Sequence, residues 1–236
     1  MMKNSKDEIL IFLRGLAEYL STFKGKTIEE LQKIVNLQSN SKSKNFLVIK
    51  RICESYDNGV MFNILFGEGA FLVKTINLNG KGFPEEAMSF PAFKYSEIIS
   101  KDWETSDIKK ALSLPFLVCV FRRNESVNAL VGVKIWEMPI SDLEGEVKEI
   151  YLRCQSIIKS CLMVKSVGTK IKLNFPKESE TNVCHIRPHG RNGLDIDKLP
   201  SNDKSTNYVA VLKQSFWLNK KYIYNKIVRE GGLYDN

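Results

Sequence analysis

The middle of the chain carries the run Pro115-Phe116-Leu117-Val118-Cys119-Val120-Phe121-Arg122, which is apolar throughout between its proline and its arginine. A strand that is apolar at every position is typical of a sheet interior with both faces covered. Two further runs of strand type flank it in the sequence, Phe71-Leu72-Val73-Lys74-Thr75-Ile76 and Leu130 to Trp136. We therefore predict a sheet with the Pro115 run as its central strand, and a later strand from Cys184 to Arg187.

Helical patterns surround these strands. They are recognised by apolar residues that recur with a period near 3.6 and by Ser/Thr-x-x-Glu capping boxes. The predicted helices are Ile9 to Leu20, one opened by the capping box Thr27–Glu30, Phe46 to Cys53, one opened by the capping box Ser141–Glu144 and reaching about Cys161, and a terminal helix from about Lys213 to Val228. The fold class is accordingly α/β (α+β), with a central mixed sheet flanked by helices. We predict one domain over residues 1–236, with a helical part at 1–58 and the sheet core at 59–236.

The composition is that of an ordinary globular protein with a basic surface. Hydrophobic residues make up 43% and charged residues 26%, and the formal net charge is +8. This charge favours a polyanionic partner. No apolar run reaches membrane-spanning length and no signal-peptide pattern opens the chain, so we expect no membrane partner. Five cysteines without close pairing predict reduced thiols and a cytoplasmic location, with neither a disulfide framework nor a zinc site.

Much of the basic charge lies near the C-terminus. From Arg187 to Arg229 the chain has nine Lys/Arg and three acidic residues. Guanidinium groups, an amide and aromatic rings stand among these charges, and such side chains hold phosphates and reach base edges. A solvated basic face on a core helix would give the same count. Charge alone leaves the two interpretations open.

Five segments together carry a resemblance to a known family. They are Phe71–Ile76, Trp103-Glu104-Thr105-Ser106, the Pro115 strand, His185-Ile186-Arg187-Pro188, and Lys213-Gln214-Ser215-Phe216. In their order and spacing they resemble the MutH-like and Sau-type GATC restriction endonucleases, and most of all the catalytically degenerate C-terminal domain of the Sau-type enzymes. The resemblance implies a restriction-endonuclease-like (MutH-like) fold that recognises GATC, and a parent enzyme that cuts DNA with Mg²⁺.

The chain departs from this family at the catalytic motif. Family nucleases use an Asp and a Glu-x-Lys, because two carboxylates hold Mg²⁺ and the lysine stabilises developing charge. Here Lys74 is present, Leu72 replaces the Glu, and Leu65 stands near the Asp position. We therefore predict no catalytic residues, no metal ligands and no cofactor in this domain. Glu54 and Glu68 are the carboxylates that a rearranged site would use.

The resemblance also implies a set of DNA-binding residues. Arg187 and His189 match the Arg-Pro-basic stretch that reads DNA in the family, and Lys213 and Gln214, expected at a helix start, would contact phosphate and adenine. Trp217 is expected to pack in the core of that helix, and Glu104 to be structural. The complete predicted set is Arg187, Pro188, His189, Arg191, Asn192, Lys213, Gln214, Lys109 and Lys110.

Three functions stay open at this level. The first is a GATC-binding, non-cleaving effector domain that acts allosterically on an N-terminal catalytic nuclease domain, with a possible dimer on double-stranded DNA. The second is an active Mg²⁺-dependent endonuclease with relocated carboxylates. The third is a basic protein-interaction module without DNA specificity.

Overall fold

The structure is a computed structural model that describes residues 5–125, 127–160, 164–167, 170–190, 194–198 and 210–230. The chain forms two compact units. The first unit comprises Met1–Glu86, Leu114–Glu137 and Tyr224–Asn236, and the second comprises Ala87–Ser113 and Met138–Ile223. The assignment of one domain with a boundary at residue 58 stays a prediction. The helices before that boundary share their unit with the apolar strands that follow it.

The described chain begins with helices and continues with strands that are interspersed with further helices. The helices are α1 (Lys6–Ser21), α2 (Ile28–Ile34), α3 (Lys44–Ser55), α4 (Val60–Gly67), α5 (Tyr95–Ser100), α6 (Asp107–Leu112), α7 (Ile140–Asp142), α8 (Lys148–Ser160) and α9 (Lys220–Tyr222). The strands are β1 (Leu72–Leu78), β2 (Met88–Ser89), β3 (Phe116–Asn124), β4 (Val127–Trp136), β5 (Val164–Val167), β6 (Lys170–Leu173), β7 (Cys184–Pro188), β8 (Ile196–Lys198), β9 (Ala210–Leu212) and β10 (Gln214–Leu218). Turns of π-helix at Leu143–Val147 and Ile223–Arg229 continue α7 and α9.

The first unit is built on a mixed sheet. Its strand order is β1-β3-β4, with β1 parallel to β3 and β4 antiparallel to it. The middle strand β3 is the predicted central strand, and Phe116 to Phe121 are buried without interruption. Helices α1 to α4 cover the sheet with a core that includes Leu13, Leu16 and Leu20. The predicted α+β class with a mixed sheet flanked by helices is confirmed.

Local signals start the first helices where the sequence predicts them. The Thr27 hydroxyl accepts from the Glu30 N–H, and the Glu30 carboxylate accepts from the Thr27 N–H, which confirms the capping box. Between α3 and α4, Asp57 and Asn58 have φ of 48° and 55° and Gly59 has φ of 74°. A Cβ on Gly59 would lie 2.5 Å from the Glu54 carbonyl oxygen, so glycine is required there.

The second unit contains a small antiparallel sheet of order β2-β10-β7, together with the hairpins β5–β6 and β8–β9. One face of the sheet packs into an aromatic core. Phe216 of β10 contacts Phe93 and Tyr151, and Tyr95 stacks on Phe175. This core forms the base on which β7 and β10 present their other face.

Two predicted helix starts in this unit are wrong, although the helix predicted to reach about Cys161 is present over Ile140–Asp142, Leu143–Val147 and Lys148–Ser160. Gln214–Leu218 is a strand with every residue buried, so the terminal helix begins at Lys220 and not at Lys213. A short apolar run fits a strand and a helix equally well by periodicity, and pairing on both edges decides for the strand. Ser141 makes no capping hydrogen bond either, because α7 begins after Pro139. The Glu144 carboxylate instead accepts from the indole N–H of Trp103 at 2.9 Å.

The cysteines of the described residues are free thiols. Cys53 and Cys119 are buried in the first unit, and Cys154 and Cys184 in the second. Burial raises the pKa of each of these thiols above its usual value. Cys161 lies outside the described residues. Within the described part of the chain, no helix has both the length and the apolar character needed to span a bilayer.

Candidate nucleic-acid interface

The candidate site lies on the outer face of the small sheet in the second unit. In the pairing of β7 with β10, Arg187 is opposite Ser215 and His185 is opposite Trp217. Because side chains alternate between the faces of a strand, Arg187, His185 and Trp217 share one face. The opposite face, which carries Phe216, belongs to the aromatic core. The strand register therefore places a predicted DNA-binding arginine beside a tryptophan.

Arg187 and His189 both contact Trp217. The guanidinium carbon of Arg187 lies 3.7 Å from the centroid of the indole ring, which is cation–π distance. The ring of His189 meets the same indole edge-on, with centroids 4.9 Å apart and an interplanar angle of 80°. Arg187 and His189 are exposed, whereas Trp217 is only 9% exposed. Trp217 is thus buried as expected, but in a strand and under two of the predicted DNA-binding residues.

Lys213 and Gln214 differ in what they offer to a ligand. Lys213 pairs with Asp195 at 2.6 Å and stays partly exposed. Gln214 is buried, and its amide donates to the Leu212 carbonyl at 2.9 Å. Neither residue starts a helix, so that part of the prediction is wrong. As placed, Lys213 faces a polar cleft of about 600 Å³ that His189 also lines, and Gln214 faces the protein interior.

Three other members of the predicted set are Pro188, Arg191 and Asn192. Pro188 ends β7 opposite Gln214 and is exposed, but as the residue after Arg187 it lies on the other face of the strand. Arg191 and Asn192 lie outside the described residues. Their part in DNA binding stays a prediction.

Lys109 and Lys110 lie on α6, whose N-cap is Ser106. The Lys109 ammonium contacts the carboxylates of Glu104 and Glu144 at 2.6 Å each. Hydrogen bonds to these two carboxylates raise the pKa of Lys109, and the bond from Lys109 is the main cause that lowers the pKa of Glu144 to about 2. Lys110 is exposed. Of the two, Lys110 has the freer approach to a phosphate, while Lys109 is held in a carboxylate cluster that includes Glu104.

His185 holds the loop before β7 and does not face solvent. It is 2% exposed, and its Nδ1 lies 2.6 Å from Oδ1 of Asn219, which fits a neutral ring that donates from Nδ1. The Asn219 amide donates onward to the Thr181 carbonyl at 2.9 Å. Burial lowers the pKa of His185. His185 therefore lies on the same sheet face as Arg187 and Trp217, but in its buried part, where it is not available to a ligand.

The buried histidine predicts an acid-sensitive fold. Because the folded-state pKa of His185 is below the usual 6.5, the unfolded chain binds the proton more tightly, and stability is lost as pH falls below about 6.5. We expect the urea midpoint of the wild-type chain to fall between pH 7.5 and pH 5.5, and His185→Gln to flatten this slope. His189→Gln, the same substitution at the exposed histidine, is measured alongside as the control. Equal slopes in wild type and His185→Gln would contradict the prediction.

The strand on which the sequence analysis places the degenerate nuclease motif lies in the first unit. Leu72 and Lys74 lie on β1, where they are opposite Phe116 and Val118 of β3. Leu65 is on α4 and is 1% exposed. Burial lowers the pKa of Lys74 to about 8. Hydrocarbon at both carboxylate positions does not fit Mg²⁺, which is a hard cation that takes oxygen ligands.

The remaining carboxylates do not form a metal site as placed. Glu54 pairs with Lys50 at 3.5 Å and with Arg51 at 3.1 Å on the same helix. Glu68 is exposed at the end of α4. Within the described ranges, no group of three His, Cys, Asp or Glu side chains is placed to hold a metal ion.

Comparison with known proteins agrees with the resemblance seen in the sequence. No protein-family model matches the chain. The chain is 32% identical over 192 residues to the type II restriction enzyme Sau3AI of Staphylococcus aureus. The match covers 69% of this chain but only 39% of that enzyme, so the chain spans less than half of its relative's length. The α+β architecture is consistent with the restriction-endonuclease-like fold that this relationship implies.

Proposed function

We propose that this chain, as a relative of the type II restriction enzyme Sau3AI, is a double-stranded DNA-binding domain that recognises GATC and does not cleave it. The observation that carries the proposal is the exposed pair Arg187 and His189, held on Trp217 at the outer face of β7 and β10. Arginine is the side chain that most often reads guanine, through paired donors. The basic C-terminal segment supplies charge for the phosphates.

The proposal that this domain does not cleave DNA rests on the residues that stand at the two carboxylate positions of the family motif. Metal-assisted hydrolysis needs carboxylate oxygens to hold the ion, and Leu72 and Leu65 supply none. An active nuclease would have to use Glu54 and Glu68. The ion pairs of Glu54 with Lys50 and Arg51 compete with that role. Mg²⁺ would then act in the parent enzyme and not in this domain.

A binding domain that does not cut acts through another domain. In the proposal, GATC bound here changes the affinity or activity of a separate catalytic nuclease domain, and the two sites are coupled reciprocally. The relative is long enough to hold such a domain, because this chain matches only 39% of it. A dimer on DNA would give the same coupling between two copies.

The test is a gel-shift titration of the chain against a GATC duplex and a scrambled duplex of equal length. It is run with Mg²⁺ present, and the recovered DNA is examined for cuts. We expect tighter binding to GATC and intact DNA. Cut DNA would refute the non-cleaving role and direct attention to Glu54→Ala and Glu68→Ala, whereas equal binding to both duplexes would refute GATC recognition. Loss of all binding would favour the protein-interaction alternative.

Charge-matched variants localise the interface in the same assay. Arg187→Ala should weaken GATC binding on the order of tenfold or more, since a paired contact to a base is worth about 1–3 kcal/mol. Arg153 on α8 is the matched control, because it is also an exposed arginine of the second unit and pairs only loosely with Glu180 at 4.0 Å. Equal losses in Arg187→Ala and Arg153→Ala would show that only total charge matters.

The ion pair of Lys213 gives a prediction of opposite sign. Asp195 holds the Lys213 ammonium at 2.6 Å, so a phosphate must compete with this carboxylate. We expect Asp195→Asn to tighten DNA binding by about two- to fivefold, the scale of one partly exposed ion pair. Asp107→Asn is the control, because it removes one negative charge from the ion pair between Asp107 on α6 and Lys101. A tightening no larger in Asp195→Asn than in Asp107→Asn would contradict the prediction.

A further inference from the structure

The contact between Arg187 and Trp217 is specific in its geometry. The two residues stand on neighbouring strands at diagonal positions, where long side chains reach each other across the sheet. A separation of 3.7 Å between the guanidinium carbon and the ring centroid places the guanidinium directly over the indole. His189 contacts the same indole, and the two rings meet edge-on. Trp217 therefore lies under both exposed residues and is itself covered.

The contacts that cover the indole limit the ways in which Trp217 can act on a ligand. Exposed aromatic rings bind nucleic acids by stacking on bases. Trp217 is 9% exposed and has Arg187 over its ring, so it does not offer a free face to a base. Its effect on a ligand must pass through the residue that it holds.

The choice of tryptophan at this position has a cost. The indole N–H is buried, and it has no hydrogen-bond partner among the residues that the structure describes. Phenylalanine would fill much of the same space without burying a donor. Tryptophan, however, attracts a guanidinium more strongly than phenylalanine does. Tryptophan therefore buries an N–H donor that phenylalanine lacks, but it holds Arg187 more strongly than phenylalanine would.

We propose that Trp217 is a positioning residue that fixes the plane of the Arg187 guanidinium, so that its in-plane N–H donors take the paired acceptors N7 and O6 of a guanine. The inference rests on the proposed function and adds the base and the supporting residue to it. A planar base edge needs donors in one plane, whereas a phosphate accepts hydrogen bonds from many directions. Holding the fork in advance also removes side-chain entropy that binding would otherwise cost.

The test replaces guanine by 7-deazaguanine in the GATC duplex, which removes the N7 acceptor and leaves base pairing intact. Affinities of the wild-type chain for the two duplexes are compared by gel shift. We expect a loss on the order of tenfold with 7-deazaguanine. Arg187→Lys keeps the charge but not the fork, so it should bind both duplexes with nearly equal affinity.

Trp217→Leu tests the positioning role. We expect it to lower affinity for the guanine duplex and to abolish most of the 7-deazaguanine effect, while Trp217→Phe keeps part of that effect. In the double variant with Arg187→Lys, the two losses should not add, because Trp217 acts through Arg187. Circular dichroism and the urea midpoint identify a variant that fails to fold, and Trp217→Phe then carries the test.

The outcomes separate this inference from the proposed function. If the wild-type chain does not prefer GATC over the scrambled duplex, the proposed function fails. If it prefers GATC but is insensitive to 7-deazaguanine, the function stands and the assignment of guanine to Arg187 is overturned. Full 7-deazaguanine sensitivity in both folded Trp217 variants would overturn the positioning role alone.

Discussion

Lys74→Met is expected to raise the free energy of unfolding by about 1–3 kcal/mol at pH 7, because the pKa of this lysine is lowered to about 8 by burial. A lowered lysine pKa means that the charged form of Lys74 is less stable in the folded state than in the unfolded chain, and this difference lowers the free energy of unfolding. The cost is complete below pH 8 and shrinks as pH rises toward 10.5, since the folded state then sheds its proton. Methionine has a similar length and carries no charge.

Urea unfolding at pH 7 and at pH 10 measures this effect. The gain from Lys74→Met should be larger at pH 7 than at pH 10. Lys81→Met is the control, because Lys81 is an exposed lysine of the same unit and should change stability little at either pH. A destabilised Lys74→Met variant would mean that the contacts of this lysine are worth more than its burial costs. DNA binding should be unchanged, because Lys74 lies in the first unit and the proposed interface lies in the second.

Phe121→Ala is expected to lower the free energy of unfolding by about 3–5 kcal/mol, through lost burial and the cavity that remains. Phe121 is fully buried on β3, the middle strand of the first unit, and belongs to its main core. Phe121 pairs with Leu130 of β4, next to a register shift between the two strands at Val120 and Phe121. Urea unfolding monitored by circular dichroism gives the change.

Val127→Ala on the adjacent strand is the control for this loss. Val127 is 47% exposed, so its truncation removes little buried surface. We expect a change below about 0.5 kcal/mol, the usual range for surface substitutions. Similar losses in Val127→Ala and Phe121→Ala would show that the strand pairing of the hairpin, and not the core, limits stability.

The first unit could be predicted well from its sequence, because its signals are local. The Thr27–Glu30 capping box fixes a helix start with two reciprocal hydrogen bonds. The apolar run at Pro115 is long enough to specify a strand buried on both faces. Neither signal depends on distant residues. The central place of β3 was predicted, but the parallel pairing of β1 with β3 follows from tertiary packing and was not predicted.

The second unit was harder to predict because its strands depend on their partners. Gln214–Leu218 contains five residues that suit a helix or a strand, and only β2 and β7 on either side settle the matter. The error had a functional consequence, since Trp217 could be recognised as a support for Arg187 only after the strand register was known. The run offers no clear alternation of polar and apolar residues, because all five of its residues are buried. Glu144 likewise reads as a capping residue until Trp103 and Lys109 are seen to contact it.

The buried cysteines give each unit an internal reporter of its own opening. A thiol reagent reacts only with an exposed thiolate, and Cys53, Cys119, Cys154 and Cys184 are buried with raised pKa values. Modification of the native chain at these positions must therefore wait for local unfolding. Mass spectrometry of the labelled peptides would give one opening rate for Cys53 and Cys119 and another for Cys154 and Cys184. The lifetimes of the two cores can thus be compared with the native cysteines, without any substitution in the chain.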